Sequence, residues 1–202
     1  MKMRSKSDWR THVLRERRSV TLEVRAAEAT ALVRSVTSAA AALAPRPGAR
    51  TACAYVPVGS EPGSVAMLDA LRTAEWRILL PVTGAPGPLE WSEFTGADSL
   101  APAAHGLREP TGPVLPPSEV ETASVLFVPA LAVDRSGTRL GRGAGFYDRT
   151  LGAITPGTAL VAVVRDDELV ASLPADPHDV PMTHALTPGL GLVPLGSHTG
   201  PE

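Results

Sequence analysis

Cysteine is nearly missing from this chain. Cys53 is its only one in 202 residues, which excludes an internal disulfide and fits a reducing compartment. It reads as a small buried hydrophobe rather than a nucleophile. Charge of one sign is also lacking, because a formal net charge of -2 leaves no electrostatic footprint for nucleic acid. No apolar run approaches membrane-spanning length, and Met1 to Arg18 is basic without the apolar stretch of a signal peptide. The expectation is a cytoplasmic protein with no membrane and no nucleic-acid partner. No Ser/His/Asp or Cys/His arrangement is present, and His12, His105, His178, His184 and His198 show no metal-ligand spacing. Of these, His178 could carry a proton, against a structural or exposed role. Internal repeats are absent, and 44% apolar residues support a packed interior for one domain over residues 1–202.

What is present has the rhythm of an α/β chain. Trp9, Val13 and Leu14 fall at helical spacing within Lys6 to Arg18, and Ser19 or Thr21 can cap a second helix that Pro45, Pro47 and Gly48 stop near Ala44. Thr51 to Val58 reads as a buried strand, Val65 to Thr73 as a short amphipathic helix and Arg77 to Val82 as the next strand, a βαβ unit. Pro86 to Phe94 suggests a more exposed strand, and Thr95 to Glu119 a long functional loop. Val125 to Leu131 is the strongest strand, a helix opens at Gly145 or Phe146 and runs through Leu151, and Leu160 to Val164 is another buried strand. From Pro174 the chain is proline-rich with short extended pieces, and residues 195–202 read as a disordered tail. A mixed, mostly parallel sheet flanked by helices is the economical fold. Trp9, Trp76 and Trp91 read as packing residues, with Trp91 the one nearest the loop and the one worth testing as a ring that stacks on a ligand.

The stretch from Gly137 to Arg149 carries the chemistry. Its glycines Gly141, Gly143 and Gly145 lack the spacing of a dinucleotide fingerprint, and Phe146-Tyr147 stands where a Walker A loop needs Lys and Ser/Thr. A glycine-rich turn between strand and helix remains, either a tight surface turn or a phosphate site. Arg139, Arg142, Arg149 and Asp148 favour phosphate, because guanidinium donors and a metal-binding carboxylate are unnecessary in a mere turn.

Here the sequence resembles the 5-formyltetrahydrofolate cyclo-ligases, also called methenyltetrahydrofolate synthetases. The run Arg139-Leu140-Gly141-x-Gly143-x-Gly145-Phe146-Tyr147-Asp148-Arg149 is similar to the hallmark of that family. Its other blocks follow in order: Lys6-x-x-Trp9-Arg10, Tyr55 to Gly63 with Glu61, Gly106 to Pro110, Val128 to Asp134, Glu168, Leu173-Pro174 and His178-Asp179. The resemblance implies a three-layer α/β/α Rossmann-like domain of the ribose-phosphate isomerase and CoA-transferase type. It also implies ATP-dependent closure of 5-formyltetrahydrofolate to 5,10-methenyltetrahydrofolate with Mg²⁺ as cofactor. On that basis ATP falls to Lys6, Arg10, Arg139, Leu140, Gly141, Arg142, Gly143, Ala144, Gly145, Phe146 and Tyr147, and formyl-folate to Val56, Glu61, Arg142, Gly143, Gly145 and Phe146. Mg²⁺ falls to Asp148 and Asp179, and the catalytic cations would be Arg142 and Lys6. Taken without the family, Lys6 and Arg10 also suit a solvated basic face, Glu61 a solvated turn, and each aspartate a helix cap or surface carboxylate. A paralogue serving another cofactor pathway and a non-catalytic ATP-binding module stay as alternatives; a monomer or weak homodimer is the expected assembly.

Overall fold

The computed structural model describes residues 5–44, 50–83, 87–143, 145–152, 154, 156–177 and 179–196. The chain opens with α1 (Lys6–Ser19). Ser5 and Asp8 form a reciprocal cap there, the Ser5 hydroxyl accepting from the Asp8 N–H at 3.2 Å and the Asp8 carboxylate from the Ser5 N–H at 3.0 Å. Thr21 then caps α2 (Leu22–Leu43) by accepting from the Val24 N–H. In chain order follow β1 (Thr51–Cys53), α3 (Val65–Thr73), β2 (Arg77–Val82), β3 (Glu90–Glu93), β4 (Leu100–Pro102), β5 (Arg108–Pro110), β6 (Val125–Pro129), β7 (Ala132–Asp134), β8 (Arg139–Leu140), α4 (Phe146–Leu151), β9 (Ala159–Val163), β10 (Leu169–Val170), β11 (His184–Thr187) and β12 (Gly191–Pro194).

Seven strands form the central sheet in the order β12-β11-β9-β6-β1-β2-β3. Its five inner strands are parallel, and β3 and β12 close the edges antiparallel. Parallel strands are covered on both faces, which is why Val125 to Val128 and Ala159 to Val163 are unbroken apolar runs. On one face Ile78, Leu80, Phe127 and Val161 pack against Leu32 and Val36 of α2 and Met67, Leu68 and Leu71 of α3. On the other Leu79, Leu126, Val128 and Ala162 meet Leu151 of α4, Val120 and Val133. A small sheet, β10-β7-β8, extends this second layer, and α1 docks on it through Val13, against Leu131, Ala132, Leu140 and Leu173.

Several expectations change. Only Thr51–Cys53 pairs as β1, because from Tyr55 onward the chain leaves the sheet to build the cavity described below. In the segment Pro86 to Phe94, of which Pro86 lies outside the described residues, the large apolar residues are not exposed: Trp91 is 0% accessible and Leu89 and Phe94 are also buried, since β3 turns Glu90 and Glu93 outward. Trp91 also exchanges backbone hydrogen bonds with Leu115, which covers the sheet edge. The stretch Thr95 to Glu119 contains the β4–β5 hairpin rather than a bare loop. Leu195 and Gly196, expected in a disordered tail, are held instead: Leu195 is buried with its N–H donated to Thr183 O at 2.8 Å, and the Gly196 N–H reaches Arg135 O at 3.0 Å. Residues 197–202 lie outside the described residues. Among the described residues no helix is long and apolar enough to cross a membrane.

Candidate active site

In an open parallel sheet, ligands bind outside the carboxyl ends of the strands where the strand order reverses. Here that point is β1, which has β2 on one side and β6 on the other. A cavity of about 400 Å³ opens there. Tyr55, Val56, Val58 and Glu61 line it after β1, Pro81 and Thr83 around the end of β2, and Pro129 to Leu131 where β6 ends. One side wall is the glycine loop, through Arg139, Gly141 to Gly143 and Gly145 to Asp148, and the hairpin supplies Leu107, Arg108 and Glu109. Most of this lining is apolar, with a few charged groups, the make-up of a small-molecule site.

The glycines let the loop approach its neighbours. Gly137 has φ +96°, and a Cβ there would stand 2.4 Å from Met182 O, so only glycine closes the turn before β8. Gly143, at φ +102°, runs past the Arg10 guanidinium, whose Nε donates to Gly141 O at 3.0 Å. In this way α1 braces the loop from outside the cavity. The helix that follows, α4, is six residues long, so its dipole adds little and the attraction for anions comes from the arginines.

Each loop cation is already engaged. Arg139 Nη2 lies 2.5 Å from Asp148 Oδ1, and its guanidinium sits 5.8 Å from the Tyr147 ring centroid. Arg142 Nε donates to Glu61 Oε1 at 3.0 Å, while Glu61 Oε2 accepts from the Val58 N–H at 3.0 Å. Glu61 is therefore fixed and 12% exposed, whereas Arg142 is 51% exposed and closes over it from the solvent side. Arg149 stacks over Phe146 at 5.4 Å. Tyr55 donates its hydroxyl to Pro62 O at 2.8 Å, and burial pushes its pKa well up, as it does that of Tyr147. Both phenols stay protonated at neutral pH.

The expected site residues divide into two groups. Val56, Glu61, Arg139, Gly141, Arg142, Gly143, Gly145, Phe146, Tyr147 and Asp148 all border the one cavity. Lys6, Arg10 and Asp179 do not, and lie on the α1 side of the loop. Lys6 Nζ stands 2.7 Å from both Asp176 and Asp179. Its desolvation favours the neutral amine, but the two carboxylates outweigh that and hold its pKa above the ordinary lysine value. Asp179 also accepts from the Asp176 N–H at 2.8 Å, so it orders this turn. Leu140 differs from expectation, because its side chain is buried against Val13 and Leu173 and its carbonyl accepts from the Leu131 N–H; it supports the loop instead of lining the cavity. Trp91 is a core residue and cannot stack on a ligand. Ala144 and His178 lie outside the described residues.

Sequence reasoning assigned no role to Thr83, Leu107, Arg108 or Glu109 at the cavity, although Gly106 to Pro110 stood out as a block. It also missed the buried pair of Arg17 and Glu168, with Nε–Oε1 at 2.6 Å and Nη2–Oε2 at 2.7 Å. Arg17 Nη2 donates as well to Ala130 O, in the cavity wall, at 2.7 Å. Among the described residues no group of three or more His, Cys, Asp or Glu could hold a metal ion alone.

Residues 2–188 match the profile of the 5-formyltetrahydrofolate cyclo-ligase family. The chain is 52% identical over 200 residues, covering 96% of it and 100% of the relative, to a 5-formyltetrahydrofolate cyclo-ligase of Mycolicibacterium smegmatis. It is 30% identical over 143 residues, 69% of the chain and 79% of the relative, to a 5-formyltetrahydrofolate cyclo-ligase of Escherichia coli. A solved 5,10-methenyltetrahydrofolate synthetase of Aquifex aeolicus superposes with TM-score 0.70 at 25% identity, over 98% of this chain and 96% of that one. One from Mycoplasma pneumoniae gives TM-score 0.68 at 18% identity, over 89% and 96%, a likeness of fold.

Proposed function

The chain belongs to the 5-formyltetrahydrofolate cyclo-ligase family and is an enzyme of that kind, and we propose that it closes 5-formyltetrahydrofolate to 5,10-methenyltetrahydrofolate at the expense of ATP in the cavity over β1. The observation that carries the reading is the Glu61–Arg142 pair at the junction of an apolar pocket and an arginine-bearing glycine loop. A pterin presents an amino group and a ring N–H side by side, and a carboxylate fixed by a backbone N–H is a paired acceptor for them. To admit the ring, half-exposed Arg142 swings off Glu61, which frees its guanidinium for the phosphoryl group.

A formamide carbon is a poor electrophile with a poor leaving group. Transfer of the γ-phosphoryl of ATP to the formyl oxygen gives an iminophosphate, N10 attacks the carbon, and phosphate leaves. Such transfer needs positioning and charge stabilisation more than a protein nucleophile. Arg142 and Arg139 supply positive charge at the cavity, and Gly141, Gly143 and Gly145 allow close backbone approach to phosphate. Arg10 adds positive charge behind the loop, where Lys6 is paired with Asp176 and Asp179.

Asp148 fits Mg²⁺: it is 44% exposed at the cavity, and one of its oxygens pairs with Arg139. With no three-carboxylate cluster among the described residues, the ion would draw most of its ligands from ATP oxygens and water, as Mg²⁺ usually does; Asp179, paired with Lys6 on the α1 side of the loop, does not border the cavity with Asp148. Bound there, Mg²⁺ would neutralise charge on the β- and γ-phosphates. The test is direct: purified protein is mixed with 5-formyltetrahydrofolate, ATP and Mg²⁺, and methenyltetrahydrofolate is followed by its absorbance. Mg²⁺-dependent product with ADP in equal amount is expected. Folded protein that binds ATP and yields no product overturns the reading.

A further inference from the structure

Ring closure obliges N10 to lose its proton, because the methenyl product carries none there, and a group at the cavity has to receive it. Among the described lining residues there is no histidine, lysine or cysteine, and the two tyrosines are held protonated by burial. Three carboxylates remain: Glu61, Asp148 and Glu109. Glu61 is paired with Arg142 and, when that arginine moves off, is taken by the amino and ring N–H edge of the pterin; Asp148 is paired with Arg139. Among the described residues Glu109 alone of the three has no cation. It is half-buried on β5, and only Oε1 is engaged, accepting from the Thr83 N–H at 3.0 Å and from the Thr83 hydroxyl. Oε2 has no hydrogen-bond partner among the described residues.

This geometry sets what Glu109 can bind. Oε1 is saturated by two donors, so the residue offers one acceptor oxygen rather than a paired edge. That suits a single N–H, whereas Glu61, with a lone pair open on each oxygen, suits the doubled amino and ring N–H edge of the pterin. Thr83 follows β2 and Glu61 follows β1, so Glu61 and the residue that holds Glu109 stand at the ends of neighbouring strands over one cavity.

We propose that Glu109 is a catalytic residue of this enzyme, holding N10–H of the folate through Oε2 and accepting its proton as the ring closes. The proposal rests on the folate reading of the cavity. In the step, the N10 lone pair forms the new bond to the formyl carbon and the N10–H proton passes to Glu109 Oε2. The carbon–oxygen bond breaks, phosphate leaves with its electron pair, and the proton on Glu109 goes on to water.

Glu109→Gln tests it with little structural cost, because the amide keeps the oxygen that Thr83 needs and replaces only the open acceptor. Binding of tetrahydrofolate and of 10-methyltetrahydrofolate, which lacks the N10 proton, is measured by calorimetry for both proteins, without ATP. The substitution should weaken tetrahydrofolate binding about tenfold, the effect of losing a hydrogen bond to a charged acceptor, and change 10-methyltetrahydrofolate binding less than twofold. In turnover, kcat for 5-formyltetrahydrofolate should fall roughly 10²-fold or more, the usual contribution of a positioned base, and Glu109→Asp should restore part of it. Equal weakening for both ligands, or kcat within threefold of wild type, overturns the assignment. Failure of the wild-type protein to bind either ligand overturns the folate reading itself.

Discussion

Replacing Arg17 by Met should cost this fold more than any surface charge change. Arg17 is 1% accessible, and its partner Glu168 has a side-chain accessibility of 5%. The two are joined in the bidentate arrangement that suits guanidinium and carboxylate. Glu168 Oε2 also accepts from the Arg165 N–H at 2.9 Å, and Arg25 donates to Arg17 O at 2.5 Å, so the pair ties α1 and α2 to the turn before β10. Burial opposes the charge on Arg17, but the hydrogen bonds and attraction of Glu168 prevail and raise its pKa. Arg17→Met leaves Glu168 buried without a cation, a penalty of about 3–5 kcal/mol. For a chain of this size that lowers Tm by roughly 6–20 °C. Two apolar residues can replace a buried pair at small cost, so Arg17→Met with Glu168→Leu should regain at least half the loss, the rest reflecting Ala130 O and the Arg165 N–H left without partners. Urea melts of wild type, both single variants and the double variant measure the cycle. A loss below about 1 kcal/mol for Arg17→Met, or a double variant no more stable than that single one, would refute the reasoning.

Asp148→Asn preserves shape and a hydrogen bond to Arg139 but removes the metal carboxylate, so Mg²⁺-dependent kcat should fall roughly 10²-fold with an unchanged melting curve; a rate near wild type disproves the metal assignment. Glu61→Gln should raise KM for 5-formyltetrahydrofolate about tenfold and leave KM for ATP in place, and the opposite pattern would move Glu61 to the nucleotide side. Burial pushes the Cys53 thiol above its usual range, the Arg77 charge opposing only weakly. Its thiolate is therefore suppressed in the folded state, and at pH 8.5 a thiol reagent should label native protein far more slowly than urea-unfolded protein. Because this pKa is raised, the matching stability is complete below the ordinary thiol pKa of about 8.5 and is lost as pH rises, by about 1.4 kcal/mol per pH unit; Cys53→Ala should flatten that alkaline slope, and an unchanged slope contradicts it.

The parts of the fold legible in the sequence are those whose pattern is local. The Thr21 cap, α3 over Val65–Thr73 and β2 over Arg77–Val82 follow from capping chemistry and from apolar runs bounded by turn residues. What stayed hidden depends on distant partners. The strands β7, β8 and β10 are two or three residues each, too short to show a period, and exist because Ala132 pairs with Leu140 and Val133 with Leu169. Glu90-Trp91-Ser92-Glu93 reads as exposed until Leu115 is laid across its edge and Trp91 is closed into the core.

For the site the same division has a chemical form. The glycine loop was readable because arginines, glycines and an aspartate stand within one short stretch, and local density of that kind has few structural uses. Glu109 lies within the Gly106 to Pro110 block, but the block alone gives its carboxylate no chemical role; that comes from Thr83, just past the end of β2, which occupies one oxygen and leaves the other open. Arg17 looks like one more member of a basic helix until Glu168 is found beneath it. A carboxylate or guanidinium acquires its role from what neutralises it, and that partner is commonly far along the chain. In this cavity the pairings themselves rank the candidates: two carboxylates are held by arginines, and the third, held only by a threonine, keeps the open acceptor that proton removal from N10 requires.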